Sequence, residues 1–111
     1  MSADLMMDIQ AKIAKLDTSI RMLRKTGTEY AEAERDYKIL LSQESLKLKD
    51  GGMAVTLIDK VVYGIPEVAT ARFKRDCAET VYEANKESIN SLKLQLRLLD
   101  AQLSREWGAT R

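Results

Sequence analysis

Apolar residues recur along this chain in alternating steps of three and four, the spacing of helices that bury one stripe against another helix. The longest such run is C-terminal. Between Pro66 and Trp107 there is no glycine and no second proline, and Ile89, Leu92, Leu96, Leu99 and Leu103 fall in phase. Leu94, Leu98 and Ala101 form a second line that widens the stripe. A helix of about 42 residues is roughly 60 Å long, too long for a small globule to cover. It requires a partner of similar length.

The first half of the chain supplies one. Met6, Ile9, Ile13, Leu16, Ile20 and Leu23 follow the same alternation, with Lys12, Lys15, Asp17, Arg21, Arg24 and Lys25 on the polar face. Ser2 is a candidate cap, and Asp4 suits the positive end of the helix dipole. Thr26-Gly27-Thr28-Glu29 interrupts the pattern: a glycine inside a helix costs about 1 kcal/mol, and Thr26 with Glu29 has capping-box spacing. A break or kink is therefore expected between helices over 3–25 and 28–50. The two should keep one direction, because Tyr30, Tyr37, Leu41 and Leu48 stay in phase with Leu23.

Asp50-Gly51-Gly52 is a firm stop. Met53, Val55, Leu57, Ile58, Val61 and Val62 make the connector too apolar for a free loop, so a short helix over 56–63 should pack over the end of the long ones. Pro66-Glu67 then opens the last helix, 66–107, where proline suits the first turn. The expected fold is all-α: one domain (1–111), an elongated, coiled-coil-like antiparallel helical hairpin with a short capping helix at its tip.

Composition sharpens this picture. Five glycines, one proline and only 5% aromatics in 111 residues describe a chain made for helix. A chain this small, drawn into long helices, has an unfavourable surface-to-volume ratio, which predicts a homo-oligomer. Its interface is expected at Ile9, Ile13, Leu16, Ile20 and Leu23, and at Ile89, Leu92, Leu96, Leu99 and Leu103. Eighteen basic and seventeen acidic residues leave a net charge of +1, so there is no bulk attraction to nucleic acid or anionic lipid. A nucleic-acid contact would have to be local. Arg21, Arg24 and Lys25 are the candidate patch, although cations ending a helix are also stabilising in their own right. The start of the chain lacks the pattern of a signal peptide and no run is long enough to span a bilayer. With one cysteine there is no intrachain disulfide, and a cytoplasmic, membrane-free protein is expected.

Candidate chemistry is sparse. The absence of histidine removes the usual proton shuttle and the commonest metal ligand. Cys77 shares a helical face with Phe73 and Val81 and reads as a buried small hydrophobe. Gly51-Gly52 is followed by Met-Ala instead of the Lys-Ser/Thr of a phosphate loop. The ladder Glu79, Glu83, Glu87 reads as an exposed helix face. No enzyme, cofactor or metal site is expected.

The one departure from the apolar pattern lies mid-hairpin, where Glu34 and Glu44 on one arm and Arg75 and Asn85 on the other take inward positions. Glu34 and Arg75 fall at comparable heights, with Arg35, Asp36, Arg72, Lys74 and Asp76 nearby. Such a layer can fix helix register, or form a pocket in which Arg72, Lys74 and Arg75, with Glu34, bind an anion such as a phosphate. Tyr30, Tyr37, Tyr63, Tyr82 and Phe73 sit at helical spacing and are candidate core or interface. Trp107, between Arg105 and Arg111, is a partner anchor or a lid on the first helix.

Four stretches together carry a family likeness: Tyr30-Ala31-Glu32-Ala33-Glu34-Arg35-Asp36-Tyr37, Lys49-Asp50-Gly51-Gly52-Met53-Ala54-Val55, Ala71-Arg72-Phe73-Lys74-Arg75-Asp76-Cys77-Ala78-Glu79 and Arg105-Glu106-Trp107. Over roughly residues 20 to 107 the chain resembles short helical proteins of phages and prophages of Gram-positive bacteria. The resemblance implies a gene placed among early functions, near replication and recombination, and one of three jobs: aiding DNA replication or recombination, packing in a particle, or disabling a host defence. Residues and resemblance together leave three functions open. The first is a non-catalytic protein that binds a host or phage protein, including a defence component it inhibits. The second is a nucleic-acid-associated replication or recombination factor, and the third an oligomer that sequesters an anionic nucleotide.

Overall fold

A computed structural model describes residues 2–109 of the chain. The side chain of Ser2, the expected cap, and Arg111, one of the residues flanking Trp107, lie outside the described part. The fold is all-α. Helix α1 spans Ser2–Asp50, α2 Val55–Val61 and α3 Pro66–Ala109, with a 3₁₀ turn at Val62–Gly64, and no strand occurs among the described residues. The chain divides into two compact units, Thr26–Tyr82 and Met1–Lys25 with Glu83–Arg111.

The Thr26–Tyr82 unit is a helical hairpin closed by a short helix. Its turn begins at the glycine pair. Gly52 adopts φ +89°, donates its N–H to Lys49 O at 3.0 Å, and is followed by Met53 N–H to Leu48 O at 3.1 Å. Those two bonds are a Schellman motif, which satisfies carbonyls that the helix end leaves without partners. Only Gly52 needs the left-handed conformation; Gly51 still bonds back to Lys47 O at 3.0 Å. Beyond it, Ile58 and Val62 turn inward and are buried, as is Val68 one turn into α3. The apolar connector thus caps the hairpin as expected, in two pieces: α2, then the 3₁₀ turn. Pro66 opens α3, and Ala69 N–H reaches Ile65 O at 2.9 Å.

The expected break at residues 26–28 is absent: α1 is continuous from Ser2 to Asp50. Thr26 is buried instead of capping a helix start. Gly27 serves packing, since a Cβ there would stand 3.1 Å from Cε1 of Tyr82. Tyr82 in turn stacks on Tyr30, ring centroids 5.9 Å apart. The glycine makes room for a ring crossing from α3, which a composition-based reading of Gly27 as a breaker misses.

In the other unit, α1 and α3 run side by side in antiparallel fashion, Ser19 Oγ lying 3.4 Å from Ser88 Oγ. Ile89 and Leu92 are buried and Leu96, Leu99 and Leu103 half-buried, so the C-terminal stripe forms a seam within the chain, and these residues, also expected at an oligomer interface, are taken up inside it. The facing side of α1 is not the expected one. Ile9, Leu16 and Leu23 do face the seam, but the second line is Leu5, Lys12 and Ser19. Met6, Ile13 and Ile20 are 41%, 45% and 47% exposed. Leu94 and Leu98, expected to widen the stripe, are also exposed. The two frames share the line through Ile9 and Leu16 and differ by one residue in the other, so apolar count alone selects the wrong neighbour.

Candidate functional site: a charged layer and a hydroxyl-lined groove

The charged layer lies in the Thr26–Tyr82 unit. Glu34, Glu44 and Arg75 are half-buried there, as expected of inward positions. Arg75 is held from two sides. Its guanidinium lies 4.7 Å from the centroid of the buried Tyr37 ring, while Nε donates to Asp76 Oδ1 at 2.9 Å and Nη2 reaches the same oxygen at 2.8 Å. A guanidinium can lie over a ring and still aim two N–H donors at one carboxylate oxygen, a fork that lysine lacks. The Asp76 hydrogen bond is the main influence holding the Arg75 proton more firmly than usual.

The Glu34–Arg75 pair suggested by their matching heights does not form. Glu34 binds Lys38 at 3.6 Å, one turn along its own helix, and acts on Arg75 only through its field. Glu44 likewise takes Lys47 at 3.2 Å. An inter-arm ion pair would have to overcome the desolvation of both charges, and Arg75 meets that demand with a ring and an adjacent carboxylate instead.

Nor do Arg72, Lys74 and Arg75 converge on an anion. Arg72 lies 5.5 Å over the ring of Tyr63. Lys74 borders a groove whose other walls include Glu29, Glu32 and Asp36, an acidic surround that repels a phosphate. Positions i and i+2 of a helix point about 160° apart, so the neighbours Arg72 and Lys74 leave α3 in nearly opposite directions. Close by, Tyr30 holds its proton above the usual 10.0. Desolvation is the first cause, followed by the fields of Glu34 and Glu79 and a hydrogen bond with Glu79, against an opposing effect of Arg75.

The expectation for Cys77 changes, and of the two placements expected for Phe73 the core is not the one it takes. Phe73 is 70% exposed, and Cys77, expected to be buried, is exposed. Both fall on the side of α3 turned away from Val68, Ala71 and Arg75. Trp107 is 64% exposed.

The nucleic-acid candidates Arg21, Arg24 and Lys25 are exposed on α1. Because α1 continues to Asp50, they stand mid-helix, and the stabilisation of a helix C-terminus does not account for them.

A further site, missed in the sequence, lies in the unit of Met1–Lys25 and Glu83–Arg111. A surface groove of about 560 Å³ is lined by Lys12, Lys15, Thr18, Ser19, Ser88, Ser91 and Gln95, with Ala14 and Leu92. Asn85 Nδ2 donates to the backbone carbonyl of Ser19 at 2.9 Å beside it, and Gln95 Nε2 to Ser91 Oγ at 3.0 Å. The available signal was polar residues, Lys12 and Ser19, seven apart inside an otherwise apolar seam.

Among the described residues no group of three acidic, cysteine or histidine side chains is arranged to hold a metal ion, and no helix is long and apolar enough to cross a membrane. No protein-family model matches the chain, and comparison with curated proteins and with solved structures finds no match.

Proposed function

We propose that this is a non-catalytic binding protein that assembles with copies of itself and acts by holding another protein. The observation that carries this reading is an exposed apolar line on α1: Met6, Ile13 and Ile20, seven residues apart, are 41%, 45% and 47% exposed, the spacing by which helices of separate chains interlock.

The resemblance to phage proteins supports an infected host cell as the setting, and a host or phage protein, including a defence component, as the further partner. A second reading, nucleic-acid association through Arg21, Arg24 and Lys25, is favoured by their exposure mid-helix. It is favoured also by the charge of their unit, ten basic against seven acidic residues.

Light scattering coupled to size exclusion tests the first reading. Wild-type protein should elute as a multiple of the chain mass, and Ile13→Lys with Ile20→Lys should give monomers that keep their helical circular dichroism. A wild-type monomer at tens of micromolar would sink it. Charge reversal at Arg21 and Arg24 tests the second, and unchanged DNA retention excludes that patch.

A further inference from the structure

We propose that the groove between the Lys12–Ser19 stretch of α1 and the Ser88–Gln95 stretch of α3 binds a phosphorylated, hydroxyl-bearing small molecule, with Lys12 and Lys15 holding its phosphate. The site lies within one unit and does not depend on the self-assembly reading.

Its lining holds two ammonium groups, four hydroxyls and one amide, and no carboxylate. Neither Lys12 nor Lys15 has an ion-pair partner among the described residues. The carboxylates within about one turn along the helices, Asp8, Asp17 and Glu87, are not among the lining residues. Arg21 brings a third cation to the rim, Nη2 lying 3.4 Å from Thr18 Oγ1. Thr18 donates its own proton to Ala14 O at 3.1 Å. Uncompensated cations beside hydroxyl donors are the chemistry that recognises a phosphate oxygen.

Register-fixing accounts for part of this polar layer and not for the rest. Asn85 bonding to the Ser19 carbonyl, and Ser19 meeting Ser88, are enough to set the alignment of the two helices. Lys12 adds nothing to that alignment. It occupies a half-buried seam position between Leu5 and Leu16 where an apolar side chain would pack better. Ser91 and Gln95 complete a polar wall that the seam does not need. The groove's volume falls within the usual range for small-ligand sites. It contains no aromatic ring on which a base could stack, whereas Ser88, Ser91 and Gln95 offer donors and acceptors to sugar hydroxyls. A sugar phosphate fits this set better than a ligand read through its base.

Isothermal titration of the full chain at low ionic strength, with ribose 5-phosphate, inorganic phosphate and ribose as probes, tests the assignment. Ribose 5-phosphate should bind saturably and several-fold tighter than inorganic phosphate, and ribose should not bind. Lys12→Gln with Lys15→Gln should weaken binding at least ten-fold with helical content unchanged, while Lys60→Gln, exposed on α2, should leave it intact. The exposed Lys15→Gln alone keeps the test open if the double variant fails to fold. No saturable binding to the wild type, or equal binding by the lysine variants, overturns the proposal. Equal affinity for phosphate and ribose 5-phosphate overturns its sugar component. Tighter binding of a short single-stranded DNA, lost in the same variants, would assign the groove to a nucleic-acid backbone and overturn the small-molecule reading.

Discussion

Gly27 shows how one side chain's absence positions another's presence. Replacing it by alanine adds helix propensity worth about 1 kcal/mol, but the new methyl would stand 3.1 Å from the Tyr82 ring. The two effects oppose, so Gly27→Ala should change stability by less than about 1 kcal/mol. In a Tyr82→Leu background the crowding is relieved, and the same substitution should stabilise by about 1 kcal/mol. Urea denaturation of the four proteins measures both. Tyr30, stacked on the same ring, provides a pH-dependent check. Its folded state keeps the phenolic proton above 10.0, while the unfolded chain gives it up near that value. Its contribution is therefore intact below that pH and is lost as pH rises through the folded value. Tyr30→Phe should flatten this part of the alkaline decline in the urea midpoint; an unchanged alkaline slope would remove Tyr30 as its source.

At the scale of elements, the legible features were those written in local chemistry. The glycine stop after Asp50, the proline start at Pro66 and the apolar connector all follow from backbone preferences that act within a few residues. Gly52→Ala should lose about 1–2 kcal/mol, because a Cβ is disfavoured at φ +89°; Gly51→Ala should lose less, since that residue needs no left-handed conformation. Thermal melts of the two variants separate the roles. What was not legible was the neighbour each face would find. The lines through Met6, Ile13, Ile20 and through Leu5, Lys12, Ser19 are one residue apart, and apolar content favours the first. Contacts distant in sequence, such as Asn85 with Ser19, select the second. The charged layer failed in the same way: Arg75 was correctly placed inward, but its ring partner Tyr37 and its carboxylate Asp76 were invisible to a search for opposite charges on opposite arms.

For the molecule as a whole, the proposed self-association would make part of its stability a property of the assembly. If copies associate, the melting temperature should rise with protein concentration by mass action. Ile13→Lys with Ile20→Lys should abolish that dependence while leaving the concentration-independent part. Scanning calorimetry over a hundred-fold dilution series checks it, and a melting temperature that ignores dilution would point to a monomer. The all-α class was readable because helix formers dominate every segment. The division into two compact units was not, since no linker composition marks Lys25 or Glu83.

The exposure of Cys77 has a consequence for any such assembly. It is the single thiol of the chain, so each copy can be joined covalently to one other and to no more. Oxidation of a ring of any size would then yield linked pairs and never a ladder. The fraction converted to pairs would report which α3 helices lie thiol to thiol, with no residue altered to obtain it.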